Sequence, residues 1–232
     1  MKRPRLLFLL LLIPFVLAQT ATEVEITAEP SHHIALENEM VRVFKVEVAP
    51  KGSTLMHRHR HDYLSVALGD AHISNEVQGK QPADVKLNDG DTRFTAGNFA
   101  HIAKDLAETP FRNITIELLQ DEKLRQTASR WPEESGERTF QGGRTKVLFV
   151  KDGVRASEVN LEPGAAVPSH HHDGPHLVVA VSDLNLRSDT ENARSSSELK
   201  LKAGDIEWIP GGYTHTVTNT GKSAARLIIF EF

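Results

Sequence analysis

The residues able to do chemistry in this chain are its histidines. There are twelve, and there is no cysteine. His170-His171-His172 is followed by His176, with His215 far downstream; His57, His59 and His61 are followed by a distant His101. Neutral imidazoles bind divalent iron, manganese, nickel, copper and zinc. Without thiols, any metal must sit on His, carboxylate, Tyr or water, and iron–sulfur clusters and thiol nucleophiles are excluded. A cation held by imidazoles alone keeps its full charge, which favours an anionic substrate or hydroxide at its open positions.

Such a site needs a scaffold that brings distant stretches together. Side chains alternate faces along a strand, so His170 and His172 share one face and His171 points the other way. His176 has the same parity, with Gly174-Pro175 bulging the chain between. Gly204-Asp205 and Pro210-Gly211-Gly212 are turn signals around a short strand, 206–209, and the next strand starts near Tyr213 and carries His215. Strand patterns recur at 41–48, 64–68, 114–118, 177–181 and 227–230, punctuated by Gly and Pro, which points to an all-β sandwich or barrel. One short helix is expected over Asp121–Arg130, before Trp131-Pro132.

The sequence also repeats itself. A shift of 113 residues lays Val41-Arg42 on Val154-Arg155, His57 on His170, His59 on His172 and Leu64 on Leu177; a shift of 114 lays His101 on His215 and Glu117 on Glu231. Two domains follow, near 31–121 and 143–232, with a charged, polar linker over 122–142.

These segments resemble the two defining motifs of the cupin superfamily. The second half fits the second motif at Gly204, Pro210, Gly212, His215 and Asn219, and the first motif at Gly164, His170 and His172, with His176 where most relatives have Glu. The resemblance implies two tandem cupin barrels, of jelly-roll or double-stranded β-helix type. It also implies a metal on His170, His172, His176 and His215 in the second. The first half is a weaker copy: His57, His59 and His101 match, Tyr63 takes the Glu position, and Ala96, Asn98 and Asp105 replace Pro, Gly and Asn. Its expected ligands are His57, His59, His101 and Tyr63, with His61 as the alternative to Tyr63.

The resemblance to quercetin-dioxygenase-like cupins implies an oxidoreductase using Fe or Mn on a small organic substrate; Zn, Ni or Cu are the other metals such ligands take. Gentisate dioxygenases and oxalate decarboxylases share the bicupin arrangement, but the latter family uses a glutamate ligand that both sites here lack. Two other readings stand beside it. One is a non-redox isomerase or lyase with a Lewis-acid metal, for which Tyr63, Tyr213, Asp173 and Glu207 are the candidate acids and bases. The other is a non-enzymatic binder of a metal or small ligand. His32, His33 and His72 are read as solvated or hydrogen-bonded.

Lys2, Arg3 and Arg5 precede an apolar run, Leu6 to Leu17, too short to span a bilayer. This predicts a signal peptide cleaved after Ala18, a periplasmic or secreted protein, and no stable membrane span afterwards. Loss of those three cations takes the net charge from −4 to −7, which argues against nucleic acid as a partner. Barrel edges lead us to expect a homodimer.

Overall fold

In the computed structural model, residues 22–120, 136–191 and 195–232 are described. The signal-peptide segment, the helix expected over Asp121–Arg130 and most of the linker lie outside them. Apart from one 3-10 turn, Ile26–Ala28, the regular structure of the described residues is strand.

The first half contains β1 (Val24–Glu25), β2 (His32–Glu37), β3 (Val41–Val48), β4 (His57–His59), β5 (Tyr63–Ala67), β6 (Ala71–Val77), β7 (Ala83–Leu87), β8 (Thr92–Thr95), β9 (Phe99–Asp105) and β10 (Phe111–Leu118). They form two sheets, ordered β1-β4-β9-β6-β7 and β2-β3-β10-β5-β8. The second half contains β11 (Glu137–Phe140), β12 (Gly143–Lys151), β13 (Val154–Leu161), β14 (Ala166–His172), β15 (His176–Ala180), β16 (Leu184–Thr190), β17 (Ser195–Leu201), β18 (Ile206–Ile209), β19 (Tyr213–Asn219) and β20 (Ala225–Glu231). Their sheets run β11-β12-β13-β20-β15-β18 and β14-β19-β16-β17.

The repeat holds at the level of backbone pairing. His57 pairs with His101 and His170 with His215. Tyr63 pairs with Glu117 and His176 with Glu231, while His32 faces Val46 and Thr145 faces Val159. Both domains extend beyond the limits read from sequence. β11 lies inside the stretch read as linker and pairs with β12 across a turn in which Gly142 takes φ +73°. Its side chains are mostly exposed, so it lacks the apolar alternation that marks a strand. Before residue 31, β1 pairs in parallel with β4, fastened by ion pairs from Arg58 to Glu23 and from Arg60 to Glu25.

Strand parity divides the core into three parts. Val41 and Val43 of β3 face outward from the first barrel, and Val154, Ala156, Leu177, Val179, Ile228 and Phe230 face outward from the second. These residues form one shared cluster, so the two large sheets pack back to back. The alternate residues fill the barrels: Phe44, Val46 and Val48 in the first, and Val159, Leu161, Val178 and Leu227 in the second. Burial on both faces explains the uninterrupted apolar runs at 177–181 and 227–230. At the rim, Lys45 pairs with Asp205 at 2.7 Å and Arg226 with Asp89 at 3.2 Å.

Because one core serves both barrels, they are expected to unfold together. Phe230→Ala removes a fully buried ring from it and should cost about 3–5 kcal/mol. Denaturant melts followed by tryptophan fluorescence and circular dichroism should shift as one transition. A first transition left at its original midpoint would show that the barrels are independent.

Candidate metal centres

Each barrel brings three imidazoles together. His57, His59 and His101 form one group and His170, His172 and His215 the other, with one nitrogen from each within 4.8 Å of the others in its group. The pattern follows from pairing: β4 supplies two histidines and the antiparallel β9 a third, and β14 and β19 do the same in the second barrel.

The outer nitrogens decide which inner atoms can bind a cation. In the second barrel His170 Nδ1 donates to the Pro168 carbonyl at 2.8 Å, and His172 Nδ1 donates to Glu231 Oε1 at 3.0 Å. His215 Nδ1 lies 2.6 Å from Ser188 Oγ. A carbonyl or carboxylate can only accept, so Nδ1 of His170 and of His172 carries the proton and Nε2 carries the lone pair. Nε2 of His170 and of His215 are 3.1 Å apart. Metal–nitrogen bonds of about 2.1 Å at right angles would put neighbouring nitrogens about 3 Å apart. Converging lone pairs at that spacing repel unless a cation lies among them, so the donor set fits a divalent metal.

The first barrel repeats the arrangement less completely. His57 Nδ1 donates to the Leu55 carbonyl at 2.9 Å and His101 Nδ1 to Asn75 Oδ1 at 2.6 Å. His59 and His101 approach at Nε2 to 3.2 Å. Leu55 corresponds to Pro168 and Asn75 to Ser188 by the 113-residue shift. The carboxylates differ. Glu231 is buried, which alone would raise its pKa, but the His172 hydrogen bond and Arg155 hold it below the usual range. Glu117 keeps its equivalent arginine, Arg42, at 3.2 Å, yet burial raises its pKa, and His59 Nδ1 is buried with no hydrogen-bond partner.

Not every expected ligand joins these groups. The structure unites three of the four histidines of the second barrel. His176 lies outside that group and stacks on His172, with centroids 4.0 Å apart and planes at 18°, and its Nδ1 is buried with no hydrogen-bond partner. Tyr63 stacks on His59 in the same way, at 4.2 Å and 22°, and its hydroxyl is hydrogen-bonded to Thr95. The motif's Glu position is thus filled in both barrels by a stacked ring. His61 lies in the bend between β4 and β5 and does not join the first triad. His171 is exposed and pairs with Asp173 at 3.2 Å. Glu207 is exposed at the edge of the second cavity, and Trp208 packs on Phe232 in the shared core. Tyr213 stands edge-on to His215 at 4.9 Å, half-buried and lining the cavity.

The decayed second motif of the first barrel keeps its geometry. Gly212 has φ +85° and its N–H reaches the His172 carbonyl at 2.6 Å; Asn98 has φ +63° and reaches the His59 carbonyl at 2.7 Å. Asn is the residue besides Gly that visits this conformation most readily, so the exchange costs little. Gly97 and Gly211 lie so close to His61 and Gly174 that a Cβ would meet backbone at 2.2 Å.

Sequence reasoning missed Ser188, Asn75 and the carbonyls of Leu55 and Pro168. It aligned Glu231 with Glu117 and Arg155 with Arg42 but gave them no role; a charged pair kept in both halves, beside apolar runs, was the available signal. It also missed that the His32 side chain is buried against His57, with centroids 4.7 Å apart, and bonded to Glu29 at 2.6 Å. The site environments differ in size too. The cavity beside the second triad holds about 590 Å³ and the one beside the first about 160 Å³.

The sequence matches no family model and no curated protein. The fold does have relatives. The oxalate decarboxylase of Bacillus subtilis, described with Mn(II) centres, superposes with a TM-score of 0.62 at 13% identity, over 88% of this chain and 76% of that one. The oxalate decarboxylase of Lactobacillus farciminis in its formate complex gives 0.62 at 13%, over 86% and 83%. At that identity the likeness is one of fold, an all-β architecture consistent with two tandem barrels.

Two predictions follow from the outer nitrogens. Replacing His170 and His172 together with alanine should remove the metal bound by the second barrel, whereas His171→Ala should retain it. Glu231→Gln should weaken metal binding by about 10- to 100-fold, read by competition with a chelator. An unchanged affinity in Glu231→Gln would mean that the carboxylate does not orient His172. The metal-free protein should also be acid-labile. Burial is the leading cause that depresses His57 and His176 to about 4, His101 and His215 to about 3, and His59 to about 2. Below about pH 6.5 the unfolded chain takes up protons that the native state refuses. Stability should therefore fall steadily from pH 6.5 to 4, measured by thermal melts; a flat profile would contradict the burial of these rings.

Proposed function

We propose that this protein is a divalent-metal oxidoreductase, using Fe or Mn, that acts on a small organic substrate at the triad of the second barrel. The observation that carries it is the set of Nε2 atoms of His170, His172 and His215, converging beside a cavity large enough for an organic molecule. When bound there, the metal would supply redox capacity and a positive centre for an anionic group. The rest belongs to the chain. Glu231, Ser188 and the Pro168 carbonyl hold the three rings. Tyr213 offers a hydroxyl at the cavity, which Val178, Leu227 and Ile229 line with aliphatic side chains. We place catalysis in the second barrel rather than the first because its outer hydrogen bonds are complete and its cavity is larger. The proposal extends to export of the mature chain through the Lys2–Ala18 segment and to pairing of chains into a homodimer.

A redox-neutral decarboxylation is the second reading, favoured by the fold neighbours. Against it, neither group within ligand reach contains a carboxylate.

The test is elemental analysis of the purified protein, followed by oxygen uptake with phenols, flavonols, small thiols, keto acids and oxalate. Iron or manganese with substrate-dependent oxygen consumption is the expected result, lost in His170→Ala. Release of formate and carbon dioxide from oxalate without net oxygen uptake would favour the second reading. Turnover with zinc alone would point to Lewis-acid chemistry. Absence of bound metal would end the proposal.

A further inference from the structure

The two barrels share a backbone but not an interior. Backbone pairing places Ser157 where the first barrel has Phe44, and Ala225 where it has Phe111. Phe44 is completely buried in the first barrel and Phe111 nearly so. Ser157 lines the second cavity, of about 590 Å³, and Phe111 lines the first, of about 160 Å³. The polar positions change as well. Ser65, Asn113 and Thr115 line the first cavity; Val178, Leu227 and Ile229 stand at the same positions around the second. The second barrel is thus wider, and aliphatic at these three positions.

Water is a poor occupant of the part of this space that Val178, Leu227 and Ile229 line, because a buried water needs two to four polar partners and aliphatic side chains supply none. Ser157 also lines the cavity; the residue is 8% exposed, and its hydroxyl has no hydrogen-bond partner. A buried hydroxyl without a partner is costly, and a ligand carrying an oxygen on its body would relieve that cost.

We propose that the second barrel binds a medium-length organic acid, its carboxylate directed to the histidine triad and its apolar body lying along Val178, Leu227 and Ile229. This deepens the proposed function and rests on it only for the carboxylate end. A cavity of this volume is in the range that encloses ligands of drug size, whereas a two-carbon dicarboxylate would leave most of it to water. The volume selects a ligand larger than a two-carbon acid, and the aliphatic side chains at 178, 227 and 229 select an apolar body.

The probes are acetate, oxalate, hexanoate, octanoate and decanoate, titrated calorimetrically into the mature protein loaded with Mn(II), with the same lengths of primary alcohol as uncharged controls. Affinity should rise about fourfold per added methylene, the transfer gain of a buried CH₂, and decanoate should outbind oxalate by well over tenfold. Ser157→Phe restores the first barrel's side chain. It should abolish the dependence on length while leaving metal content, acetate binding and the circular dichroism spectrum unchanged. Val178→Phe, at another position lining the cavity, should reduce the dependence in the same way, and serves if Ser157→Phe fails to fold. Affinity that is flat with chain length, or equal in wild type and a folded phenylalanine variant, would overturn the inference. The metal reading fails separately. If the protein holds no metal but the longer alcohols still bind with the same increment, the apolar cavity stands and the triad proposal falls.

Discussion

Three imidazole lone pairs cannot approach one another in a dry interior without something positive between them, and both barrels are built to force that approach. The outer nitrogens are committed first. Carbonyls at 55 and 168, the side chains at 75 and 188, and the carboxylate at 231 take the Nδ1 positions. What remains on the inside is a set of Nε2 electron pairs about 3 Å apart. Burial then keeps the rings neutral by disfavouring the imidazolium form. Protonation of any one ring would both place a charge in the interior and remove a ligand.

That constraint explains what the duplication kept and what it let drift. Kept are the backbone features that set the histidines in register: the His-x-His strand, its pairing with the strand carrying the third histidine, and the left-handed residue at 98 or 212. The chemical identity at 98 and 212 changed, but the conformation did not. The interior drifted freely. One copy retained aromatic filling around its triad, together with the buried Glu29–His32 pair; the other lost that filling and became a chamber. Duplication with a shared backbone permits this, since each barrel's interior packs only against itself.

The outward faces had no such freedom. They form one cluster spanning both barrels, with Val41, Leu64, Ile114 and Ile116 meeting Val154, Leu177, Ile228 and Phe230. Glu231 ends the strand that lies against this cluster on one face and the chamber on the other, and Arg155 accompanies it at 3.2 Å. The ion pair that steadies His172 is therefore anchored to a strand packed into the shared core, where packing limits the freedom of a ligand-orienting carboxylate.

The sequence by itself determined the repeat, the all-β character, the strands at 41–48 and 206–209, and the histidines that meet, because periodicity and residue type act locally. Turn residues such as Gly204 and Gly212 dictate their own neighbourhoods, and the strand parity of His170 and His172 follows from two-residue alternation. The tertiary structure alone decided that three rather than four histidines converge, with His176 and Tyr63 stacked as covers. It also decided that residues 137–140 are strand, that Glu231, Asn75 and two main-chain carbonyls fix the tautomers of their histidines, and that Ser188 meets His215 Nδ1. These outcomes depend on which residues far apart in the chain become neighbours. Ring orientation and cavity volume are set by packing between strands, and no pattern along one strand encodes them.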